Sequence, residues 1–476
     1  MLASAPMSDA GAAAGPRLRR ALSLRDLIVY GVMVISPMAP MTFFGVLSRR
    51  GHGHATTSIL IAMLAMSLTA VSYGRMACVY PSAGSAFTYV GRELSPALGY
   101  VTGWSIAMDY LLNPVICVIY ASQQSHVFFP QIAYWTWAVF FAALLTGLSL
   151  QGIKVSARVN ALLTAAMGCV VVVFFVAAML YIVRHPHAGS GFFTHPVYDP
   201  KTWSTAGILG GTSLAVLAYM GFDGISTLSE EAKRPSDVLT ATVLTCVAVG
   251  VLSALEVYAA QLIWPTAETF PDIDTAFSFV AGRAWAPLFG AVGLALIVGS
   301  VGSGMGGQLA AARLLYGMGR GGALPKTFFA AIDARHRIPR NNVLFLGAFA
   351  VCAALILPAI AGEATGFELA SSMLNFGALI AFMGVNAAAL VRFFWRAERR
   401  TPVNCAMPAL GFLVCLLLWW NLALQARILG AVWMAIGLGY GAWKTRGFRA
   451  NLIDFDLSPN AVPRVPEKHE REECGS

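Results

Sequence analysis

Near the middle of the chain, Ala218-Tyr219-Met220-Gly221-Phe222-Asp223-Gly224-Ile225-Ser226 places a carboxylate between two glycines inside an apolar run. Such a carboxylate can meet an organic cation, or it can exchange a proton. It can also cap a helix that restarts beyond the glycines. Early in the chain, Tyr30-Gly31-Val32-Met33-Val34-Ile35-Ser36-Pro37-Met38-Ala39-Pro40 carries two prolines in another apolar run. Neither proline has an N–H, so the carbonyls of Met33 and Ser36 lose their helical donors. Freed carbonyls favour a cation. Asp109 is followed by Tyr110, a second carboxylate beside an aromatic face suited to an organic cation. Asp109 could equally be bonded to a neighbouring helix. Glu256 stands alone among apolar residues, as part of a proton path or facing a vestibule. Ser300 and Ser303 flank Gly302 and could ligate sodium; Gly302-Ser303-Gly304 also suits a close helix approach. His52 and His54 are spaced like a metal pair, but no other ligand cluster accompanies them, so no metal is expected. No HExxH set and no phosphate-binding P-loop is present, which argues against a membrane enzyme and against ATP hydrolysis by this chain.

The elements that must position these groups are membrane helices. Of 476 residues, 57% are hydrophobic and only 12% charged, with a mean hydropathy of +0.68. A soluble domain carries about 25% charged residues. Twelve apolar segments can be read, over about 24–48, 56–80, 95–128, 133–150, 156–183, 206–229, 238–264, 276–316, 341–362, 366–396, 403–423 and 426–444. The third, eighth and tenth exceed the roughly 20 residues of a straight crossing, so each is tilted or includes an interfacial piece. With the N-terminus cytoplasmic, 26 of the 32 Lys and Arg fall on the inner side and 6 on the outer. That asymmetry predicts both ends inside. The net charge of +9 therefore lies between spans and implies no nucleic-acid partner. Residues 1–23 read as a short polar leader with no cleaved signal peptide, and residues 446–476 as a polar, disordered cytoplasmic tail.

The two interrupted segments are the first and the sixth. Those positions correspond if five spans repeat inverted as the next five. Paired interruptions of this kind point to a transporter's binding site at the bilayer midplane.

Several motifs in order then resemble the amino acid–polyamine–organocation (APC) transporter family. They are the broken first span, Tyr219-Met220-Gly221-Phe222-Asp223 with its Ser229-Glu230-Glu231 exit, Arg313-Leu314-Leu315-Tyr316-Gly317-Met318-Gly319-Arg320, and Leu374-Asn375-Phe376-Gly377-Ala378. The likeness runs from about Leu22 to the twelfth span. Within the family the chain looks most like bacterial putrescine importers, on Ser36-Pro37-Met38, Gly103-Trp104, Asp109-Tyr110-Leu111 and Leu228-Ser229-Glu230-Glu231. The resemblance implies an all-α protein with a ten-helix, 5+5 inverted-repeat (LeuT-like) core over 24–396. Two peripheral helices over 397–445 complete it. It implies transport by alternating access with no covalent chemistry and no cofactor.

Two departures matter. Amino acid carriers of this family show a Gly-Ser-Gly-type run whose amides hold the substrate carboxylate; Val34-Ile35-Ser36-Pro37 stands there instead, which favours an amine. The lysine that some members carry in span five is matched by Met167. The substrate set expected is Ser36, Pro37, Tyr110, Tyr219, Gly221, Phe222, Asp223 and Gly224, with Tyr219 and Phe222 as a gate and Asp223, Asp109 and Glu256 in coupling. Trp104 is expected to pack rather than bind. The function expected is uptake of an amine or amino acid across the plasma membrane, driven by a proton gradient, with sodium as the other candidate ion. An exchanger, or a non-transporting sensor on the same fold, are the competing readings.

Overall fold

The computed structural model describes residues 21–448 except 82–83, 152–156, 186–190, 230, 266–267, 321–323, 334–337, 363 and 398–399. Glu230, most of the leader and nearly all of the tail lie outside the described residues.

The described residues are helical, with one isolated bridge between Leu22 and Ala232. In chain order the helices are α1 (Leu24–Ile35), α2 (Phe44–Arg50), α3 (Ala55–Val79), α4 (Ser85–Glu93), α5 (Pro96–Phe128), α6 (Tyr134–Leu150), α7 (Ala157–Arg184) and α8 (Thr205–Ala215). They continue as α9 (Pro235–Ile263), α10 (Ala276–Ala284), α11 (Pro287–Arg320), α12 (Lys326–Phe329), α13 (Arg340–Ile360), α14 (Gly366–Leu390), α15 (Pro402–Trp420) and α16 (Leu424–Lys444). Among the described residues, ten stretches are long and apolar enough to cross a membrane. The chain is thus a multi-pass membrane protein. The shorter α6 is also apolar.

Helix starts follow local chemistry. Ser23 and Asp26 form a reciprocal capping box on α1. Ser95, Ser204, Thr365 and Thr401 cap α5, α8, α14 and α15 through their hydroxyls. Proline stands at the first position of α5, α9 and α15, where its missing N–H costs nothing.

The long segments resolve differently. α5 is one helix of 33 residues with Pro114 inside it. At 1.5 Å per residue it is about 50 Å long, well beyond the hydrocarbon core, as a tilted crossing requires. The eighth apolar segment is not one element. It divides at Trp285, whose backbone is extended, and Pro287 opens α11. The ring of Pro287 disfavours the helical region for Ala286, and a proline suits the first position of a helix, so a division here agrees with the local chemistry. The tenth ends in a π-turn, Val391–Trp395.

Helices approach closely where glycine removes a side chain. A Cβ on Gly74 would lie 2.5 Å from the Leu239 backbone, which brings α3 against α9. On Gly377 it would lie 2.4 Å from the Ser105 carbonyl, between α14 and α5. α16 is keyed to α5 by tryptophans. Trp104 and Trp433 stack at 4.9 Å, and each ring N–H donates to the other's carbonyl at 3.0 and 3.1 Å. Trp104 therefore packs, as its sequence context suggests.

Each end of the bundle is tied. At the α1 end, Glu93 is buried and accepts from Tyr80 (2.6 Å) and Arg396 (2.7 Å), with Arg392 at 3.7 Å. Burial, together with the hydrogen bond to Glu93, pushes the Tyr80 hydroxyl up to about 12. At the α2 end, Glu368 is 1% exposed and bonded to both Arg49 and Arg50.

Gly437 lies under the Trp104 ring, where a Cβ would meet the indole at 2.1 Å. Gly437→Leu is expected to displace the ring and destabilise the α5–α16 contact by about 1–3 kcal/mol. A thermal-unfolding scan in detergent reads this as a lowered midpoint; an unchanged midpoint would show that α16 does not depend on the tryptophan pair.

Candidate functional site

The first break begins where α1 stops. Ser36 adopts φ 67° and ψ 127°, a sparsely populated conformation for a non-glycine residue. Holding it costs on the order of 1–3 kcal/mol. The chain then makes a short 3-10 turn, Ala39–Thr42, and restarts as α2. The expectation of a free Ser36 carbonyl is corrected: the Ala39 N–H donates to it at 3.2 Å. A chain that reverses tightly after Pro37 brings that amide round to the orphaned oxygen. The other amides are engaged as well. Ser36 N–H donates to Val32 (3.1 Å), Met38 N–H to the Ser36 hydroxyl (3.4 Å) and Met41 N–H to Met38 (3.1 Å). Between Ser36 and Met41, then, every N–H is either bonded within the protein or absent at a proline.

The second break is built differently. α8 passes into a 3-10 turn, Val216–Tyr219, and a second one follows at Phe222–Leu228. Between them Gly221 has φ 111° and lies against Val34, which a Cβ would meet at 2.6 Å. Only glycine fits both constraints. Carbonyls at the end of α8 accept from another helix. The Asn375 amide of α14 donates to Ser213 (2.9 Å) and Leu214 (3.2 Å). That is what the Leu374-Asn375-Phe376 motif does.

Between the breaks lies a chamber of about 130 Å³. Ser36, Met38 and Thr42 face it from the first break, and Leu217 and Met220 from the second. α5 contributes Asn113, Cys117 and Tyr120; α11 contributes Ser300 and Ser303; Met167 comes from α7. The Ser36 hydroxyl points at the Met167 sulfur, 3.9 Å away, so Met167 stands beside the break. Its methyl fills the notch at Gly299. Among the described residues, no charged side chain lines the chamber. Its polar wall is amide, hydroxyl and thiol. Asn113 was not singled out from the sequence, yet among the described residues it is the sole carboxamide of the lining, and its buried Oδ1 has no partner there. The four-residue spacing from Asp109 was the available signal, since it puts both on one face of α5.

The acidic residues occupy a second layer, one turn away toward α1. Asp109, Tyr110 and Tyr30 lie within electrostatic reach of Asp223, as does the buried Tyr73. The Asp223 carboxylate faces the N–H groups of Gly221, Asp223 and Gly224, so it also caps the restart of the broken span. Tyr30, Asp109, Tyr110 and Asp223 are all only half-buried although they lie deep in the bundle, which marks an internal crevice. Val34, at the boundary with the chamber, keeps 41% of its surface accessible, so the chamber is open on this side.

The remaining expected residues scatter. Pro37 is buried behind the break and Gly224 lies near the Tyr30 hydroxyl. Tyr219 and Phe222 are fully buried. Tyr219 donates to the Ile59 carbonyl (2.8 Å), and Phe222 packs against Tyr73 and Phe382. Glu256 is fully buried and, among the described residues, neither carboxylate oxygen has a partner, so it faces no vestibule. His54 is used by backbone: its Nε2 accepts from Asp199 N–H at 3.0 Å. Among the described residues no group of three potential ligands could hold a metal.

Two broken helices around a chamber open to one side are the construction of a membrane carrier. A family model described as amino acid permease matches residues 27–441, and the chain belongs to that family. It is a permease and not an enzyme. It is 33% identical to the low-affinity putrescine importer PlaP of Escherichia coli (strain K12), over 92% of this chain and 96% of that protein. It is 25% identical to the branched-chain amino acid permease BcaP of Lactococcus lactis subsp. cremoris, over 89% and 94%. Among solved structures, a crystal structure of a mutant of the Eremococcus coleocola manganese transporter superposes with a TM-score of 0.51 at 12% identity, covering 89% of this chain and 95% of that one. That likeness concerns the fold alone.

Asn375→Leu removes both donors from the end of α8. The expected loss is about 1–3 kcal/mol, because two buried hydrogen bonds are lost. Thermal stability and substrate uptake, measured on the same preparation, should fall together; wild-type values of both would show that the second break does not depend on α14.

Proposed function

We propose that this permease is a secondary active importer of a small organic amine, with putrescine as the first candidate, working by proton-coupled alternating access. The observation that carries this reading is the hydrogen-bond state of the first break. An amino acid carboxylate would need free amides or a basic side chain. The amides from Ser36 to Met41 are all engaged, and among the described residues no basic side chain lines the chamber. An amine needs acceptors and negative charge. Asp109 and Asp223, with Tyr30, Tyr73 and Tyr110 around them, supply both, one turn below the chamber. Aromatic faces beside carboxylates suit an alkyl ammonium. The similarity to the putrescine importer PlaP points the same way.

In this reading, residues 24–396 form a ten-span core of two inverted five-span repeats, α15 and α16 lie outside it, and the chain crosses the membrane twelve times. Both ends face the cytoplasm of a cell whose plasma membrane holds the protein, and the Arg49–Glu368 end faces outward. The open crevice at Asp223 is then the cytoplasmic exit. Substrate enters the uncharged chamber from outside and moves to the acidic layer when the outer end closes. Asp223 and Asp109 exchange ammonium for proton there. Glu256, buried without a partner among the described residues, carries the second proton site. Sodium in place of the proton would use Ser300 and Ser303 in the chamber wall.

Reconstituted into liposomes, the protein is expected to accumulate labelled putrescine under an inward proton gradient more than tenfold over a panel of amino acids. Asp223→Asn is expected to abolish that accumulation with normal insertion and folding. Uptake of amino acids alone would overturn the amine reading. Equal uptake by the Asn variant would remove Asp223 from the site, and uptake driven by a sodium gradient instead would replace the proton.

A further inference from the structure

The mouth of the chamber at the α2 end is closed by a circuit of side chains that leaves one member unexplained. α2 packs on the start of α10 and on the residues just before it. A Cβ on Gly45 would lie 2.2 Å from the Ile273 carbonyl, and Phe44 meets Phe270 and Phe277 edge-on at 5.8 and 5.6 Å. The stretch just before α10 carries Asp274, which is 2% exposed. Its Oδ1 accepts from the Thr365 hydroxyl at 2.7 Å and its Oδ2 from the Gln123 amide of α5 at 3.3 Å. Thr365 is the cap of α14 and accepts from Glu368 N–H at 3.1 Å. Glu368 in turn holds Arg49 and Arg50 of α2. The circuit starts and ends on α2. Directly beneath it Tyr120 and Phe367, both lining the chamber, meet edge-on at 5.9 Å.

We propose that Asp274 is a positioning residue of the transport cycle: it fastens the stretch just before α10 over the chamber mouth by joining Gln123 to the Thr365 cap, and so sets the Glu368 carboxylate that grips α2. This rests on reading the protein as a carrier whose Arg49 end opens to admit substrate. Asp274 touches no substrate. It acts through Thr365, whose hydroxyl serves as donor to Asp274 and acceptor for Glu368 at once.

The chemistry of the link makes it sensitive to acid. Burial holds the Asp274 carboxyl up at about 6, against 3.8 for a solvated aspartate. The hydrogen bonds from Thr365 and Gln123 and the charge of Arg49 limit the rise, while Asp272 adds to it. The other groups facing it are Tyr120 of α5 and Tyr134 of α6. Glu368 and Arg50 sit one link further on. Asp272 is itself bonded to the N–H and hydroxyl of Thr275 at 2.9 Å. The sign follows from linkage. A carboxyl that titrates higher when the mouth is shut favours the shut form once protonated, so closure takes up a proton between about pH 4 and 6 and weakens as pH rises through 6. With those two values the shut form gains about tenfold over the open form between about pH 7.5 and pH 5.

The test places spin labels at Pro271, on that stretch, and at Trp135, at the exposed start of α6. Electron–electron distances are then recorded in full-length protein from about pH 4.5 to 8, without substrate. The wild type is expected to show a longer-distance population that grows about tenfold relative to the short one as pH passes 6. Asp274→Asn keeps the shape without the titration and should hold the short distance at every pH. Asp274→Ala loses the link and should show the long distance throughout. Counterflow of labelled putrescine with equal pH on both sides should follow the same pattern. An Asn variant with the wild-type pH response overturns the proposal, and that variant decides even if the Ala variant does not fold. A pH-dependent distance abolished by Asp274→Asn, in a protein that moves no putrescine, keeps the latch and discards the substrate reading. Putrescine transport with an unaltered pH response in the Asn variant does the reverse.

Discussion

In hydrocarbon, every backbone N–H and C=O must find a partner inside the protein. The rest of this structure depends on how that constraint is met at two places where the helix is interrupted. At the first break the chain satisfies itself. Ser36 takes an unusual backbone conformation, and the turn that follows folds the amides of Met38 and Ala39 back onto it. At the second break another helix helps, since Asn375 captures the carbonyls of Ser213 and Leu214. The two solutions have different consequences. A break that consumes its own amides offers a ligand side chains and a shape rather than N–H groups. A break tied to α14 moves with α14 or must let go of it.

The chamber and the acidic layer differ in charge. The described wall of the chamber is uncharged and largely apolar. The carboxylates lie beyond it, in a crevice that retains accessible surface. Keeping charge out of the chamber avoids the cost of a bare buried ion while the site is empty. The two ends of the bundle are fastened by the same device. Each has one buried glutamate, Glu93 or Glu368, holding a pair of arginines that keep part of their surface accessible.

Legibility in the sequence followed the range of the interaction. Pro37 and Pro40, and the glycines around Asp223, act within a turn of themselves, so both breaks could be read directly. Ser23, Ser95 and Thr365 mark helix starts for the same reason. Trp285-Ala286-Pro287 was just as local, but hydropathy alone left the eighth segment as either one tilted span or a span with an interfacial piece, because hydropathy does not register how a proline restricts the residue before it. The site was less legible. Asp223, Asp109 and Tyr110 do gather, but Tyr219 and Phe222 turn away from the break into packing. Asn113, Cys117 and Thr42 line the chamber without any motif to announce them.

By itself the sequence determined that this is a helical membrane protein of the permease kind, and where its helices must fail. Composition, charge placement and proline chemistry act on each segment alone, so no neighbour could change them. The tertiary structure decided which groups face each other. It fed the Ser36 carbonyl from Ala39, set Asn375 on the second break, and separated an uncharged chamber from an acidic layer. It also closed the circuit through Asp274, Thr365 and Glu368. Those pairings join residues as distant along the chain as Arg49 and Glu368, 319 positions apart. Their geometry is fixed only when the helices pack, because nothing in a single helix records which face its neighbour will cover.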